Sequence, residues 1–230
     1  MGPPELRPAP GRLETVARTV EEAQAAVAIA LDAAGTGPRH ARFVELAGTR
    51  CYFKLSALAG KTRLRYALKR GLLRRKLPRL REFENLGWLR AHGFHAPEPI
   101  AAGALWRGGL PRFQFLFTRE VPRARTLAEV LAEPAPDVGR AEILDRLARE
   151  VARMHALGFV HHDLFPRNLL VAARPDPLRI WFLDCWAGGP PPQLRGPGYD
   201  LACVAGEDGW LDGEERERFL ETYASARRPR

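Results

Sequence analysis

Apolar residues recur along this chain with two periods. Strand-like alternation is found in ARFVELAG and TRCYFKLSAL, on either side of Gly48, and predicts a β-hairpin. APEPIAAG reads as a loop entering a strand, and Arg112 to Thr118 of PRFQFLFTREV as a further strand. Two short strands follow much later, Leu169 to Ala172 and Arg179 to Leu183, with a Pro-containing turn between them. Helical spacing occupies most of the rest. Thr19-x-x-Glu22 is a capping-box pattern ahead of an Ala-rich run to Ala34, with Gly35 as the stop. Arg81 to Phe94 sets Phe83, Leu86 and Leu89 on one face and closes at Gly93. Thr126-x-x-Glu129 opens TLAEVLAE in the same way as the first capping box. Asp137 to Leu157 then carries Ile143, Leu144, Leu147, Val151 and Met154 on one side. YDLACVAG and LDGEERERFLETYASARR predict two closing helices. Residues 1 to 12 are Pro-rich and are expected to be loose.

Composition narrows the class. The 230 residues are 46% hydrophobic and 27% charged, as in water-soluble globular proteins. A chain of this length can bury a substantial core in one domain or two small lobes. No apolar run approaches the length needed to span a bilayer, and MGPPELRPAP has no signal-peptide pattern. Cys51, Cys185 and Cys203 are scattered without metal-ligand spacing and are expected to be reduced thiols in a cytosolic setting. The net charge of +9 favours anionic partners, although Arg richness also accompanies the Ala, Gly and Pro bias of the whole chain. Within it, Lys61 to Arg81 holds ten basic residues and no acid. That stretch reads either as a solvated helix face or as a surface for lipid headgroups, with nucleic acid as a third option that no motif supports.

The chemistry concentrates between Val160 and Ala187. Asp163 in a polar turn can accept a proton from an attacking hydroxyl. Asn168, five residues on, and Asp184, after the second short strand, supply hard oxygen ligands of the kind Mg²⁺ on a triphosphate requires. His161-x-Asp163-x₄-Asn168, then an apolar strand ending in Asp184, resembles the catalytic loop and metal-binding Asp of protein-kinase-like phosphotransferases. On that resemblance Lys54, in Tyr-Phe-Lys-Leu, is the phosphate-binding lysine. Glu82 is its first-choice partner and Glu84 the second, because the two point about 200° apart on a helix. The backbone of Glu120 and Val121 would meet adenine, His155 is structural, and Asp200 braces the catalytic loop from below.

Departures from regulated protein kinases refine the picture. His162 stands where many of them carry a phosphate-receiving Arg, and no Ser, Thr or Tyr lies between Asp184 and Tyr199. No Gly-x-Gly-x-x-Gly precedes Lys54, Gly35-Thr36-Gly37 being a weak stand-in. Asp184-Cys185-Trp186 replaces Asp-Phe-Gly, with the glycine delayed to Gly188. The order of elements resembles the bacterial lipopolysaccharide kinase (Kdo/WaaP) family over roughly residues 40 to 220. The resemblance implies an α+β fold that is bilobal and protein-kinase-like, with a small β-rich N-lobe and a short, mostly helical C-lobe. The expected boundaries are an extension with a short helix at 1–35, the N-lobe at 36–121 and the C-lobe at 122–230. It also implies ATP and Mg²⁺ as cofactors and phosphorylation of heptose or Kdo in the lipopolysaccharide inner core. Asp163 would be the base, Lys54 with Glu82 would hold the α/β-phosphates, and Asn168 with Asp184 would hold the metal. An anionic glycolipid acceptor, a cytoplasmic location and a peripheral position on the inner face of the inner membrane accompany that reading. Two other readings remain open: a kinase-fold enzyme acting on a small molecule or protein, and a pseudokinase binding module. A metal hydrolase built on His155, His161, His162 and Asp163 lacks the usual spacing.

Overall fold

The first helix shows how local sequence sets the frame. Thr19 accepts a hydrogen bond from the Glu22 N–H, Glu22 accepts one from the Thr19 N–H, and the helix runs Val20–Thr36 (α1). Gly37, rather than Gly35, ends it. The computed structural model describes residues 11–73, 76–133, 139–172, 178–191, 196–206 and 210–228. They fall into two compact units, one of residues 1–83 and 99–120 and the other of residues 84–98 and 121–230.

Unit 1 is built on a five-stranded antiparallel sheet of β1 (Arg12–Ala17), β2 (Arg39–Leu46), β3 (Thr49–Ala57), β4 (Pro99–Arg107) and β5 (Leu110–Arg119), in the order β1-β4-β5-β3-β2. β1 is an element the sequence pattern did not suggest. Its residues, RLETVA, lack strict alternation, and its place comes from pairing with β4. The expected hairpin is β2–β3, closed by Ala47 and Gly48 at φ 46° and 72°, the left-handed pair that a two-residue turn needs. That turn leaves no loop for a glycine-rich flap. The Gly35-Thr36-Gly37 stand-in belongs to the end of α1, where Gly35 and Thr36 are helical. Thus the described part of residues 1–35 supplies a strand and a helix to this unit.

One face of the sheet packs on α1. Ala26, Ala30 and Ala33 meet Cys51, Phe53, Leu55, Phe115 and Phe117, all buried. Small alanines let the helix lie close to the rings, and Phe53 and Phe117 stack at 4.6 Å. The opposite face carries α2 (Gly60–Leu73) and the first turns of α3 (Pro78–Ala91). Arg70 of α2 reaches Glu14 at 2.6 Å, and the Arg79 N–H donates to the Gln114 side chain at 3.0 Å. The basic stretch Lys61 to Arg81 is therefore two helices and not one, its residues 74 and 75 lying outside the described set.

Unit 2 contains the rest of α3, closed by Gly93 at φ 75°. It continues with the short β6 (Arg125–Thr126), α4 (Leu127–Ala132), α5 (Arg140–Ala156), β7 (Leu169–Ala172), β8 (Arg179–Phe182), α6 (Pro197–Ala205) and α7 (Gly213–Arg227). The Thr126–Glu129 capping box forms as the pattern indicates. α5 begins at Arg140; the expected start at Asp137 lies outside the described residues. α5 buries Ile143, Leu144, Leu147, Val151 and Met154, and α7 packs on it with Arg218–Asp145 and Arg140–Glu215 ion pairs at the margin. β6, β7 and β8 form a three-stranded sheet.

Gly103 of β4 tests the packing of unit 1. A Cβ there would lie 2.5 Å from the Glu14 carbonyl oxygen and 2.6 Å from Phe115 Cζ. Gly103→Ala is predicted to lower unfolding free energy by about 1–3 kcal/mol, read by urea denaturation. An unchanged midpoint would show that β1 and β4 do not pair this closely.

Candidate active site

In unit 1 the pairing of Lys54 is with Glu82. Lys54 occupies β3, on the sheet face opposite Phe53 and Leu55, and its Nζ lies 2.8 Å from Glu82 Oε1. The Glu82 side chain is 1% exposed, and its other oxygen accepts from Arg79, one helical turn earlier. Such a buried carboxylate needs both cations, because removing one leaves charge uncompensated. Glu84, the alternative, is exposed. At the end of β5 the Glu120 N–H donates to the Arg50 carbonyl at 3.0 Å, and its carboxylate pairs with Arg50 at 2.8 Å.

In unit 2 the site is organised around a buried carboxylate. Asp200, on the first turn of α6, accepts from the backbone N–H groups of His161 and His162, both at 2.7 Å. His155, at the end of α5, links Asp200 Oδ2 (3.0 Å) to the Tyr223 hydroxyl of α7 (2.8 Å) through its two ring nitrogens. Burial works to raise the Asp200 pKa. The hydrogen bond from His155, the nearby imidazole of His161 and the His161 N–H outweigh it and leave the carboxyl below its usual range. His161 itself is fully enclosed beside Phe182, and burial pushes its pKa down, against the opposing fields of Asp200, Asp163 and Asp184.

The loop then turns through His162 at φ 64°, a left-handed conformation that non-glycine residues seldom adopt. Asp163 follows, its Oδ1 accepting from Arg167 at 3.0 Å. Residues Pro166–Asn168 form a 3₁₀ turn that brings the buried Asn168 back, and its Nδ2 donates to the Asp163 carbonyl at 2.9 Å. That bond fixes which way the amide faces and sets Oδ1 on its other side. The Asn168 carbonyl accepts from the Leu183 N–H at 2.9 Å, so the loop and the residue before Asp184 are tied directly. Asp184 is the second left-handed non-glycine residue here, at φ 56°. Strained backbone of this kind collects where a side chain must be aimed against local preference.

Two contributors escaped the sequence reading. Asn85, buried on α3, donates through Nδ2 to the carbonyls of Cys185 (2.6 Å) and Gly188 (3.1 Å), holding the segment after Asp184. The available signal was an Asn, a poor helix former, beside the apolar positions of a helix. The second is the packing role of Gly188, which the sequence showed only as a delayed motif glycine. Val160 and Gly189 exchange backbone hydrogen bonds at 3.1 and 2.9 Å, and a Cβ on Gly188 would fall 1.9 Å from the Val160 oxygen. The delayed glycine is thus required by close approach of two backbones. His162 Nδ1 meets the Ala187 carbonyl at 3.1 Å.

Comparison with known proteins places this arrangement. The model of the lipopolysaccharide kinase (Kdo/WaaP) family matches residues 39–187. The chain belongs to that family. A 3-deoxy-D-manno-octulosonic acid kinase of Vibrio parahaemolyticus is 35% identical over 104 residues, 45% of this chain and 40% of the relative. A second, from Vibrio vulnificus strain YJ016, is 34% identical over 146 residues, 64% of this chain and 52% of that one. The chain therefore spans about half the length of the curated relatives it matches. Among solved structures, WaaP in complex with acyl carrier protein superposes with a TM-score of 0.57 at 21% identity, over 94% of this chain and 90% of that one. The fold is accordingly the α+β, kinase-like fold of the family.

Protonation of His161 has a measurable consequence. Its folded pKa lies below the unfolded value of about 6.5. Above about pH 6.5 both states are neutral there. Below it the unfolded chain takes up the proton first, and stability falls by at most about 1.4 kcal/mol per pH unit for one such group. His95, also lowered by burial, adds in the same direction. Urea unfolding between pH 5 and 8 is expected to show this decline, and His161→Phe to reduce it to the His95 contribution. A pH-independent midpoint would remove the argument.

Proposed function

We propose that this chain is an ATP-dependent phosphotransferase that phosphorylates a sugar hydroxyl, heptose or Kdo, of the lipopolysaccharide inner core. The observation that carries the proposal is the Asp200-braced loop, in which Asp163, Asn168 and the strand leading to Asp184 are tied by successive hydrogen bonds. Family membership supplies the reaction class, and the relatives' name supplies Kdo as the acceptor.

Each residue then has a chemical task. Asp163 accepts the proton of the attacking hydroxyl, and its ion pair with Arg167 steadies the carboxylate before the acceptor arrives. Lys54, positioned by Glu82 and Arg79, neutralises phosphate oxygens. Asn168 Oδ1 and the Asp184 carboxylate would hold Mg²⁺. One carboxylate and one amide suit a cation that keeps water and nucleotide oxygens as its remaining ligands. They fit a nucleotide-borne metal better than a protein-caged one. When bound, the ion would offset charge on the transferring phosphoryl group. Because the Glu120 N–H is engaged by Arg50, its carbonyl and the Val121 N–H are the groups proposed for the adenine edge. Catalysis is then mainly positioning and charge neutralisation.

A lipid-linked acceptor calls for work at a membrane surface. We place the chain peripherally on the cytoplasmic face of the inner membrane, where that acceptor would be met; among the described residues no helix is long and apolar enough to cross a bilayer.

Two variants separate chemistry from folding. Asp163→Asn is predicted to reduce phosphate transfer to purified core glycolipid by about 10²–10⁴-fold, with Mg-ATP binding retained. Wild-type protein that binds Mg-ATP but transfers no phosphate would reject the proposal. Asp184→Gly relieves a left-handed backbone, so its stability should stay within about 1 kcal/mol of wild type while metal-dependent turnover is lost. Full turnover in that variant would remove Asp184 from the metal site.

A further inference from the structure

α2 is amphipathic the wrong way round for a helix packed on a sheet. The side towards β5 presents Thr62, Arg63, Tyr66, Ala67 and Arg70, each half-buried, while the outward side presents leucine. Leu64, Leu68 and Leu72 are 55%, 52% and 80% exposed. At about 100° per residue the three fall within an arc of about 80°, a continuous ridge along the helix. Lys61, Arg65 and Lys69, all exposed, form a parallel ridge displaced to one side by about 60°. No acidic residue occurs in the helix. Along the other flank lies a depression of about 510 Å³ bordered by Arg12, Arg70 and Trp106, with the Arg70 guanidinium 4.9 Å over the indole.

We propose that the outward face of α2 docks unit 1 on an anionic bilayer, the leucine ridge entering below the headgroups and the cationic ridge lying among them. Leucines alone would suit any apolar partner. Charge selects the bilayer: each cation near an anionic lipid surface adds attraction, and aliphatic stems can lie along the interface while their charged ends stay wet. A second copy of this chain would bring the same cations against these and is disfavoured. Only the first helix of the basic stretch takes part. Arg79, on the second, is committed to Glu82.

The inference takes its purpose from the membrane-held acceptor proposed above, but its test is independent of phosphotransfer. All three native cysteines are buried, so single exposed thiols can be labelled selectively. An environment-sensitive fluorophore on Leu64→Cys, Leu68→Cys or Leu72→Cys is expected to shift to the blue with phosphatidylglycerol-containing vesicles, and not with phosphatidylcholine alone. Leu31→Cys, on α1 across the sheet, should show no shift. In co-sedimentation, the combined Leu64→Gln, Leu68→Gln, Leu72→Gln variant should bind anionic vesicles about tenfold more weakly or worse, with Mg-ATP hydrolysis in vesicle-free buffer unchanged. The proposal is overturned if wild-type protein ignores anionic vesicles or if the leucine variant binds them as well as wild type. A label shift produced without vesicles, by self-association or by an acidic protein, also overturns it. Vesicle binding without any phosphotransfer would reject the enzyme and keep the surface; phosphotransfer without vesicle binding would do the reverse.

Discussion

A single buried carboxylate sets the geometry of unit 2. Asp200 takes two consecutive backbone N–H groups, and those belong to the residues immediately before Asp163. Without it two buried donors would lose their acceptor, at a cost of about 1–3 kcal/mol each. His162 would also have no reason to hold a left-handed φ. The brace runs further than the loop. His155 carries it from α6 to the end of α5, and Tyr223 to α7, so three helices and the loop share one hydrogen-bonded chain. The lowered pKa of Asp200 means the charge persists across the neutral range, keeping its acceptor strength.

Unit 1 solves a related problem with opposite means. Its buried carboxylate, Glu82, is balanced by two full cations and not by backbone dipoles. Arg79 satisfies one oxygen from within the same helix, which leaves Lys54 to orient along the other. A lysine held this way is fixed in position, its ammonium donating to the buried Glu82 carboxylate. The sheet behind it is rigid for reasons of shape. Alanines on α1 let aromatic rings from β3 and β5 fill the space, and Gly103 lets β1 approach β4 closely.

Much of this could be read from residue order. Local signals with one physical cause transferred well: both capping boxes, the Gly48 turn, and the strand-turn-strand around Asp163, Asn168 and Asp184. Lys54 and Glu82 were legible through the family resemblance, as a strand lysine followed by a glutamate on an amphipathic helix. What stayed hidden depends on partners distant in sequence. β1 exists through pairing with β4, some ninety residues away, and its own pattern is weak. Asn85 is recognisable only once its two carbonyl acceptors, a hundred residues on, are in place. Gly188 looked like a displaced motif glycine until the Val160 backbone appeared against it. The basic stretch misled by continuity, since charge ran unbroken through what the chain folds as two helices.

The buried thiols carry a consequence of their own. Burial pushes Cys51 up to about 11, and Cys203 is raised as well, so the reactive thiolate is scarce at neutral pH. Cys185 sits immediately after Asp184, fully enclosed. Peroxide and disulfide exchange act on accessible thiolates, and this fold offers them none among its three cysteines. Oxidants that act on exposed thiolates should therefore leave these three cysteines reduced while the fold is intact.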